Sequence, residues 1–352
     1  MERLHIVFLG PVNSGKSTLV NLLCGQEVSL VSPVPGTTTD PVRKVAELPG
    51  LGPCVLIDTA GYDDSSVLGA ERLRLTESAI DSAHIAVVLG EPSGWLEKKL
   101  SGLDIPIIHY AGEGAEWLLG RLADASKELP QEGFLTGNLV RKGSQVLLVM
   151  PQDGEAPKGR LILPQVNVIR ELLDRGCVPH CCTAESLADA IKGLSAAPDL
   201  VITDSQVFKR VAETIPAEWP LTSFSVLLAC VKGDASAFIE GARAIDALKP
   251  GDKVLIAEAC THVPASEDIG RVKIPAMLRK RVGDLTVDIA AGNDFPADLS
   301  PYKLIIHCGA CVASSALVRS RIRKAAAAEV PITNYGIAIA FLQGILHRIV
   351  LP

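Results

Sequence analysis

Aromatic residues and clustered positive charge are both scarce in this chain of 352 residues. Phe, Trp and Tyr make up 4% of it, and 34 lysines and arginines are scattered among 40 acidic residues, giving a formal net charge of −6. Nucleic-acid surfaces need stacking platforms and a basic stripe, so we expect no nucleic acid among the partners. No apolar run reaches the about 18 residues of a membrane helix. Residues 1–10 also lack a signal-peptide pattern, so we expect a cytoplasmic protein without a membrane partner.

A disulfide framework is also missing. The nine cysteines are odd in number and unevenly spaced. This pattern favours reduced thiols and a metal site over disulfide bonds.

A phosphate-binding motif follows the first predicted strand. The apolar stretch 4–9 leads into GPVNSGKS at 10–17, which satisfies G-x-x-x-x-G-K-[ST], and a helix is predicted at 18–23. Such glycines let backbone N–H groups surround phosphates, the lysine reaches the terminal phosphates, and the final hydroxyl ligates Mg²⁺. The candidate nucleotide-binding residues are Gly10, Asn13, Ser14, Gly15, Lys16, Ser17, Thr18, Thr38, Asp58 and Gly61.

Two downstream segments fit the same chemistry. Thr38 lies in a turn-rich segment and is, with Ser17, a candidate Mg²⁺ ligand. Asp58 and Gly61 belong to a D-x-x-G motif, in which the carboxylate holds Mg²⁺ through water and the glycine N–H contacts the γ-phosphate. These residues resemble the translation-factor-type GTPases. Asn13 matches the asparagine with which potassium-dependent members bind a monovalent cation, which implies K⁺ as a cofactor.

The base-recognition end of this domain departs from that pattern. The N-K-x-D motif, whose aspartate selects guanine, occurs nowhere in the chain. Glu113, in a glycine-flanked loop after the strand predicted at 105–110, is a substitute carboxylate or simply a solvated loop residue. Tyr62 stands where a catalytic glutamine is expected, so hydrolysis of GTP stays an open question and is expected to be slow.

Five candidate metal ligands form two groups in the last third of the chain. C-x-H follows an apolar strand at 254–257, and H-C-x-x-C follows another at 304–306. If these strands are neighbours in a parallel sheet, their carboxyl ends bring both groups to one crevice. Three thiolates with one weaker ligand suit a 4Fe-4S cluster with a replaceable corner better than a zinc site. The five residues are Cys260, His262, His307, Cys308 and Cys311.

Alternating apolar and amphipathic segments predict an α/β fold in three domains. Residues 1–131 are interpreted as a truncated P-loop GTPase-like domain, 135–231 as an α/β dimerisation domain, and 232–352 as an α/β iron-sulfur cluster domain. In the middle domain we expect strands at 146–150, 178–182, 200–203 and 224–229. An exposed edge strand of that sheet would pair with its copy in a second subunit.

Taken together, the motifs resemble the HydF family, the maturation GTPases and scaffolds of the iron-only (FeFe) hydrogenases. The likeness also rests on EAPKGR at 155–160, TDSQ at 203–206, LIAEACTH at 255–262 and ITNYG at 332–336. It implies a homodimer in which Cys260, Cys308 and Cys311 hold a 4Fe-4S cluster. His262 and His307 are then candidates for the exchangeable fourth position.

The same resemblance implies a cargo and several partners. The open iron would carry a di-iron precursor with carbonyl, cyanide and dithiolate ligands, which is passed to the apo-hydrogenase. GTP or GDP with Mg²⁺ would switch contacts with the radical-SAM maturases through ordering of Thr38 and Gly61.

Two other functions remain open from the sequence. One is a regulatory or tRNA-modification-type GTPase with a structural zinc site, since Asn13 and the segment 36–40 resemble the potassium-dependent tRNA-modification GTPases. It requires zinc, a basic surface and a working guanine site. The other is a binding scaffold whose nucleotide domain no longer hydrolyses anything.

Overall fold

The computed structural model describes residues 2–25, 41–63, 69–130, 133–152, 158–259 and 268–352. The chain divides into unit 1, Met1–Glu132 with Ser314–Ser320, and unit 2, Gly133–Ala313 with Arg321–Pro352. In both units helices pack on largely parallel sheets, which confirms the predicted α/β fold class. Within the described ranges, no helix is both long enough and apolar enough to cross a membrane.

Unit 1 is built on a mainly parallel sheet. Over its described residues the strand order is β2-β3-β1-β4-β5, and β2 alone runs antiparallel to its neighbour. The elements are β1 (Leu4–Leu9), α1 (Lys16–Cys24), β2 (Val42–Leu48), β3 (Gly52–Asp58), α2 (Gly69–Asp81), β4 (Ile85–Leu89), α3 (Gly94–Ser101), β5 (Ile107–Tyr110) and α4 (Ala115–Glu128).

The central strand β1 explains why this sheet has two apolar faces. Ile6 and Phe8 pack into one buried cluster, while Val7 and Leu9 pack into another on the opposite face. Strands covered by helices on both faces are apolar throughout rather than alternating. No described strand follows β5 in this unit, in agreement with the truncated GTPase sheet expected from the sequence.

Unit 2 contains two four-stranded parallel sheets. The middle sheet has the order β7-β6-β8-β9 and the C-terminal sheet the order β11-β10-β12-β13. The first half comprises β6 (Gln145–Val149), α5 (Leu163–Asp174), β7 (Val178–Cys182), α6 (Leu187–Gly193), β8 (Leu200–Thr203), a 3₁₀ turn (Ser205–Val207), α7 (Phe208–Thr214), β9 (Leu221–Ser223) and α8 (Phe224–Lys232).

The second half repeats the strand order of the first but has no described helix between its second and third strands. It comprises α9 (Ala235–Arg243), a 3₁₀ turn (Ala244–Ala247), β10 (Lys253–Glu258), a π-helix (Ile269–Lys273), α10 (Ile274–Val282), β11 (Thr286–Ala291), β12 (Leu304–His307), α11 (Ser315–Ala327), β13 (Ile332–Asn334), α12 (Tyr335–Leu342) and a 3₁₀ turn (Leu346–Arg348).

Matching hydrogen bonds identify the two sheets of unit 2 as copies of one design. In each, the third strand of the half donates an N–H near its start to the carbonyl of a proline that precedes the fourth strand: Val201 N–H donates to Pro220 O, and Ile305 N–H donates to Pro331 O. The register of the central strands then makes Thr203 in one sheet equivalent to His307 in the other.

The helix that follows the fourth strand begins in the same way in both copies. The Ser223 side chain accepts from Val226 N–H at the start of α8, and the Asn334 side chain accepts from Ile337 N–H at the start of α12. Side chains of this kind satisfy the free N–H groups of a first helical turn. The unit therefore contains an internal repeat, which includes its four strands and the cap of the helix that follows the fourth strand.

The prediction of a strand at 224–229 is wrong, because this apolar run forms helix α8. Short apolar runs do not distinguish a buried strand from a buried helix by periodicity. Phe224, Val226 and Leu227 are all buried, and the Ser223 cap starts the helix. The real fourth strand is the short β9 just before it.

The two outer edges of the middle sheet differ. Beside β9, Leu221 forms a parallel bridge with Ile349, and Val350 N–H donates to Leu221 O at 2.9 Å. On the other side, β7 has no strand neighbour besides β6 among the described residues. The C-terminal segment therefore covers one edge and leaves the other exposed.

Candidate functional site

The phosphate-binding loop joins β1 to α1 in the order that the motif requires. Asn13 and Gly15 take left-handed backbone conformations, with φ of 61° and 88°. Helix α1 begins at Lys16, so the free N–H groups of its first turn face the loop. Helix N-termini of this kind stabilise bound anions.

Lys16 is folded back onto its own loop. Its Nζ donates to Gly10 O at 3.0 Å, to Pro11 O at 2.7 Å and to Ser14 Oγ at 3.3 Å. Burial lowers the pKa of Lys16 to about 8, while Asp58 and Asp63 act in the opposite direction. A bound phosphate would place a further negative charge beside this buried ammonium.

Two of the residues predicted to bind the nucleotide and its Mg²⁺, Ser17 and Asp58, lie side by side in unit 1. Ser17 Oγ donates to Asp58 Oδ2 at 2.6 Å, which brings the P-loop hydroxyl and the D-x-x-G carboxylate together. Asp58 is fully buried at the end of β3, and Thr59 anchors this strand end by donating to Phe8 O at 2.7 Å. Thr38 lies outside the described residues. Asn13 and Thr18 are exposed beside the loop.

Gly61 approaches the P-loop closely. A Cβ at this position would lie 2.4 Å from Val12 N, so any larger residue would displace the loop. Nearby, Val12 N–H donates to Asp63 Oδ1 at 2.7 Å, a contact that sequence reasoning did not predict. The Tyr62 hydroxyl turns away to donate to Glu91 O at 2.6 Å, so it is engaged with backbone rather than aimed at the P-loop.

At the base-recognition end, polar groups of the loop after β5 are hydrogen-bonded to one another. Glu113 is exposed, and its Oε2 accepts from Ala111 N–H at 2.8 Å within its own loop. Gly114 N–H donates to Tyr110 Oη at 3.2 Å. The loop after β5 therefore satisfies its own polar groups, which matches the solvated interpretation of Glu113.

The strands that carry the metal-ligand groups are neighbours, which is the condition on which the predicted crevice depends. In the C-terminal sheet β10 pairs parallel to β12, with Ala257 opposite His307. Cys308 follows directly, and its N–H donates to Ala257 O at 2.9 Å. The carboxyl ends of β10 and β12 also flank the point where the strand order reverses, where open α/β sheets bind ligands.

The sulfur of Cys308 accepts two backbone N–H bonds, which would stabilise a thiolate. Its Sγ accepts from Ala259 N–H at 3.1 Å and from Ala310 N–H at 3.4 Å. Backbone N–H donors of this kind stabilise thiolates and cluster sulfurs. Cys311, three residues on, is exposed. Cys260 and His262 lie outside the described residues, and no group of three metal-binding side chains occurs in the part that is described.

His307 is turned into the protein rather than toward its neighbour Cys308. It is 1% exposed, its Nδ1 lies 2.8 Å from Cys308 O, and its Nε2 lies 3.0 Å from Arg321 Nη1. Since arginine only donates, Nε2 accepts and Nδ1–H donates. Burial, with Arg321 beside it, lowers the pKa of His307 to about 3. Both ring nitrogens are thus engaged, and a ligand role would require His307 to leave Arg321.

Three further polar side chains lie at this crevice, and of these sequence reasoning missed the roles of Glu258 and Arg271. Glu258 is 1% exposed and is held by Arg271, with Nη2 to Oε2 at 2.7 Å and Nε to Oε1 at 3.2 Å. The Tyr335 hydroxyl is buried and has no hydrogen-bond partner in the described structure. Its pKa is raised, first by burial and then by Cys308 and Glu258. Glu258 stands at the end of β10 and Tyr335 directly after β13, which is a signal available in the sequence, whereas Arg271 lies in the π-helix.

These residues fit an iron-sulfur cluster in two respects. Cys308 receives two N–H bonds, and a buried hydroxyl near it lacks a partner. If bound, the cluster would be held by Cys308 and Cys311 together with Cys260. It would supply an iron whose fourth position is open to exchange.

Comparison with protein families assigns all three parts of the chain. The hydrogen maturase F dimerization domain matches residues 135–233, and the hydrogen maturase F tetramerization domain matches residues 236–352. The 50S ribosome-binding GTPase family matches residues 5–112. Domains with these descriptions point to an oligomer with a GTP-binding part.

Individual relatives match mainly through the nucleotide-binding part. The tRNA modification GTPase MnmE of Methylobacterium sp. (strain 4-46) is 35% identical over 145 residues, covering 36% of this chain and 33% of that protein. MnmE of Erythrobacter litoralis is 30% identical over 218 residues, covering 57% and 48%. The chain thus spans between a third and a half of the length of these relatives.

Solved structures give a weaker likeness. An Era variant of Aquifex aeolicus bound to GDP·AlF₄⁻ is 17% identical, covers 83% of this chain and 95% of its own, and has a TM-score of 0.28. Toc33 of Arabidopsis thaliana with GDP and Mg²⁺ is 15% identical, covers 55% and 65%, and has a TM-score of 0.23. Scores this low support no functional transfer.

The two maturase matches lie end to end over residues 135–352, and the GTPase match precedes them. This is the domain content of a hydrogenase maturation GTPase. The chain belongs to the hydrogen maturase F (HydF) family.

Proposed function

We propose that this protein is a scaffold for the active-site cluster of an iron-only hydrogenase. Cys260, Cys308 and Cys311 hold a 4Fe-4S cluster, and its exchangeable corner carries a di-iron precursor to the apo-hydrogenase. The observation that carries this proposal is the thiol of Cys308, which lies at the switch point of a parallel sheet and accepts two backbone N–H bonds.

In this proposal His307 positions the site and His262 is the better candidate for the exchangeable ligand. Both nitrogens of His307 are used in holding Cys308 O and Arg321. A ligand that must yield to an incoming group should be weakly held, and a buried side chain fixed at both ends is not. Cytoplasmic residence and contact with the radical-SAM maturases belong to the same proposal.

Anaerobic reconstitution with iron and sulfide tests the cluster. The parent protein should turn brown, with broad absorbance and iron and sulfide in cluster proportion. Cys260→Ala, Cys308→Ala and Cys311→Ala should each remove the absorbance and the bound iron and sulfide. Cys181→Ala, at an exposed cysteine of the middle sheet, is the matched control and should leave both unchanged. Stoichiometric zinc without iron would instead favour a GTPase with a structural metal, the function suggested by the MnmE matches.

The nucleotide domain is proposed as a switch that binds GTP or GDP with Mg²⁺, with Asn13 available to a K⁺ ion. The Ser17–Asp58 pair and the buried Lys16 support phosphate and metal binding, whereas the Glu113 loop offers no comparable support for guanine selection. Lys16→Ala should abolish binding of a fluorescent nucleotide. Equal competition by GTP and ATP in the parent would refute guanine specificity and leave phosphate binding intact.

Oligomerisation is proposed to use the exposed edge of β7. The matched dimerization domain contains the whole middle sheet, and its other edge is already covered by the C-terminal segment. Val178 on β7 is 43% exposed, so this edge presents an apolar side chain to a partner. Cys181→Pro would remove an N–H from this edge. The variant should sediment as a monomer where the parent sediments as a dimer.

A further inference from the structure

We propose that Lys232 is a positioning residue for the loop that carries Cys308 and Cys311, a role that depends on the cluster function proposed above. Lys232 is the last residue of α8 in the middle half of unit 2. It stands at the junction between the dimerization match, which ends at residue 233, and the tetramerization match, which begins at residue 236. The junction therefore reaches directly into the cysteine loop.

The contacts of Lys232 are confined to one turn of that loop. Its Nζ donates to Ala310 O at 2.8 Å and to Ala313 O at 2.7 Å, and Cys311 O lies 3.4 Å away. An ammonium has three N–H donors and no acceptor, so three carbonyls satisfy it completely. Hydrogen bonds from a charged donor are about twice as strong as neutral ones.

The loop needs such an anchor because its backbone is unusual. Ala310 has a φ of 51°, in the left-handed region that residues with a Cβ seldom adopt. Its carbonyl also accepts from Ala313 N–H at 3.2 Å, and its own N–H donates to Cys308 Sγ. By fixing the carbonyl of Ala310, Lys232 holds the conformation in which the N–H of the same residue points at the sulfur.

Charge gives Lys232 a second effect. A 4Fe-4S cluster with three thiolates is negatively charged, and it becomes more so on reduction. Nearby positive charge and hydrogen bonds to sulfur raise a cluster's reduction potential. Lys232 supplies the charge and supports the Ala310 hydrogen bond, so its removal should make the cluster harder to reduce.

The experiment compares three variants of the full chain. Lys232→Met keeps the length of the side chain but removes its charge and its N–H donors. Lys232→Arg keeps the charge and the donors. Lys192→Met is the matched control, because Lys192 is 76% exposed and pairs only with its surface neighbour Asp189 in the described contacts. After reconstitution with iron and sulfide, the potential is measured by redox titration with electron paramagnetic resonance, and iron loss to a chelator is timed.

We expect Lys232→Met to shift the potential to more negative values and to lose iron several-fold faster than the parent. Lys232→Arg should restore most of both properties, and the Lys192 control should match the parent. If Lys232→Met and the parent have the same potential and the same rate of iron loss, the proposed role is overturned.

A measurement without cluster separates this role from the scaffold function. In the apo-protein, amide hydrogen exchange at residues 308–313 should accelerate by about tenfold in Lys232→Met and not in the control. If the parent binds no cluster but Lys232→Met still shows this local acceleration, the scaffold function is refuted and the loop contact is supported. Acceleration spread evenly over unit 2 would make Lys232 a general structural residue and overturn the proposal.

Discussion

The middle and C-terminal sheets of unit 2 share one plan but end their strands in different chemistry. Thr203 in the middle sheet simply donates to Val149 O at 3.0 Å, whereas the equivalent His307 is held between Cys308 O and a buried arginine. The next position is Asp204 in one sheet and Cys308 in the other. The two sheets therefore share a backbone arrangement. The candidate site results from the different residues at the carboxyl ends of the strands in the C-terminal sheet.

Two more equivalent positions follow the same rule. Met150 and Phe224 in the middle sheet correspond to Glu258 and Tyr335 in the C-terminal sheet, by their places after the first and fourth strands. Where the middle sheet has apolar side chains, the C-terminal sheet has a buried carboxylate and a buried hydroxyl. Polar groups that are costly to bury indicate a function that requires them.

Exchanging the residues at the Cys308 position should have the largest effect. Cys308→Asp gives the C-terminal sheet the residue of the middle sheet, and it should abolish reconstituted iron while the protein stays folded, because a thiolate is lost from a half-exposed strand end. The reciprocal change Asp204→Cys should not create a second cluster. Iron content and circular dichroism measure the two effects, and a brown Cys308→Asp protein would contradict the equivalence.

Removing Arg271 should destabilise the apo-protein strongly. Arg271→Met leaves the carboxylate of Glu258 buried and uncompensated, at a cost of about 3–5 kcal/mol in the free energy of unfolding. The double variant Glu258→Met with Arg271→Met imitates Met150 of the middle sheet and should come within about 1 kcal/mol of the parent. Urea unfolding of both variants checks this; a double variant as unstable as the single one would show that Glu258 is needed for packing.

Acid should destabilise the C-terminal sheet through His307. Because its pKa is lowered to about 3 in the folded protein and is about 6.5 when unfolded, only the unfolded chain takes up the proton between these values. The contribution of the neutral ring to the free energy of unfolding is complete above about pH 6.5. Between pH 6.5 and pH 3 it falls by about 1.4 kcal/mol per pH unit. His307→Thr, the residue of the middle sheet, should remove this slope in urea unfolding. Parallel slopes for the two apo-proteins would contradict the assignment.

Tyr335→Phe should have the smallest effect, and its sign is informative. The hydroxyl is buried without a partner in the described structure, so its removal should stabilise the apo-protein by about 1 kcal/mol. The middle sheet already has Phe224 at this position. If the variant is less stable than the parent in thermal unfolding without cluster, the hydroxyl has a partner that the described residues do not include.

The sequence was most informative where chemistry dictates local order. The P-loop, the D-x-x-G motif and the two ligand-bearing strands were predictable, because glycine, lysine and apolar runs in that order admit few other structures. Adjacency of β10 and β12 was only a condition of the predicted crevice, and the parallel pairing of the two strands meets it. The ligand set itself stays a prediction, since Cys260 and His262 lie outside the described residues.

Other features were beyond the reach of local patterns. Helix α8 was interpreted as a strand because FSVLLA is apolar on every side, and only its position between other helices gives each face something to pack against. The engagement of His307 depends on Arg321, which is 14 residues away along the chain. Lys232 contacts a loop about 80 residues later, and no spacing rule connects the two.

The strand bridge between Leu221 and Ile349 has a consequence for assembly. A sheet with two free edges can add copies of itself at both and grow into a fibre. In the described part of the chain, the segment around Ile349 caps one edge of the middle sheet, so growth by this sheet would stop after a single pairing. Cutting the chain before Ile349 would uncover the second edge, and the truncated protein would then be able to add copies at both edges of the middle sheet.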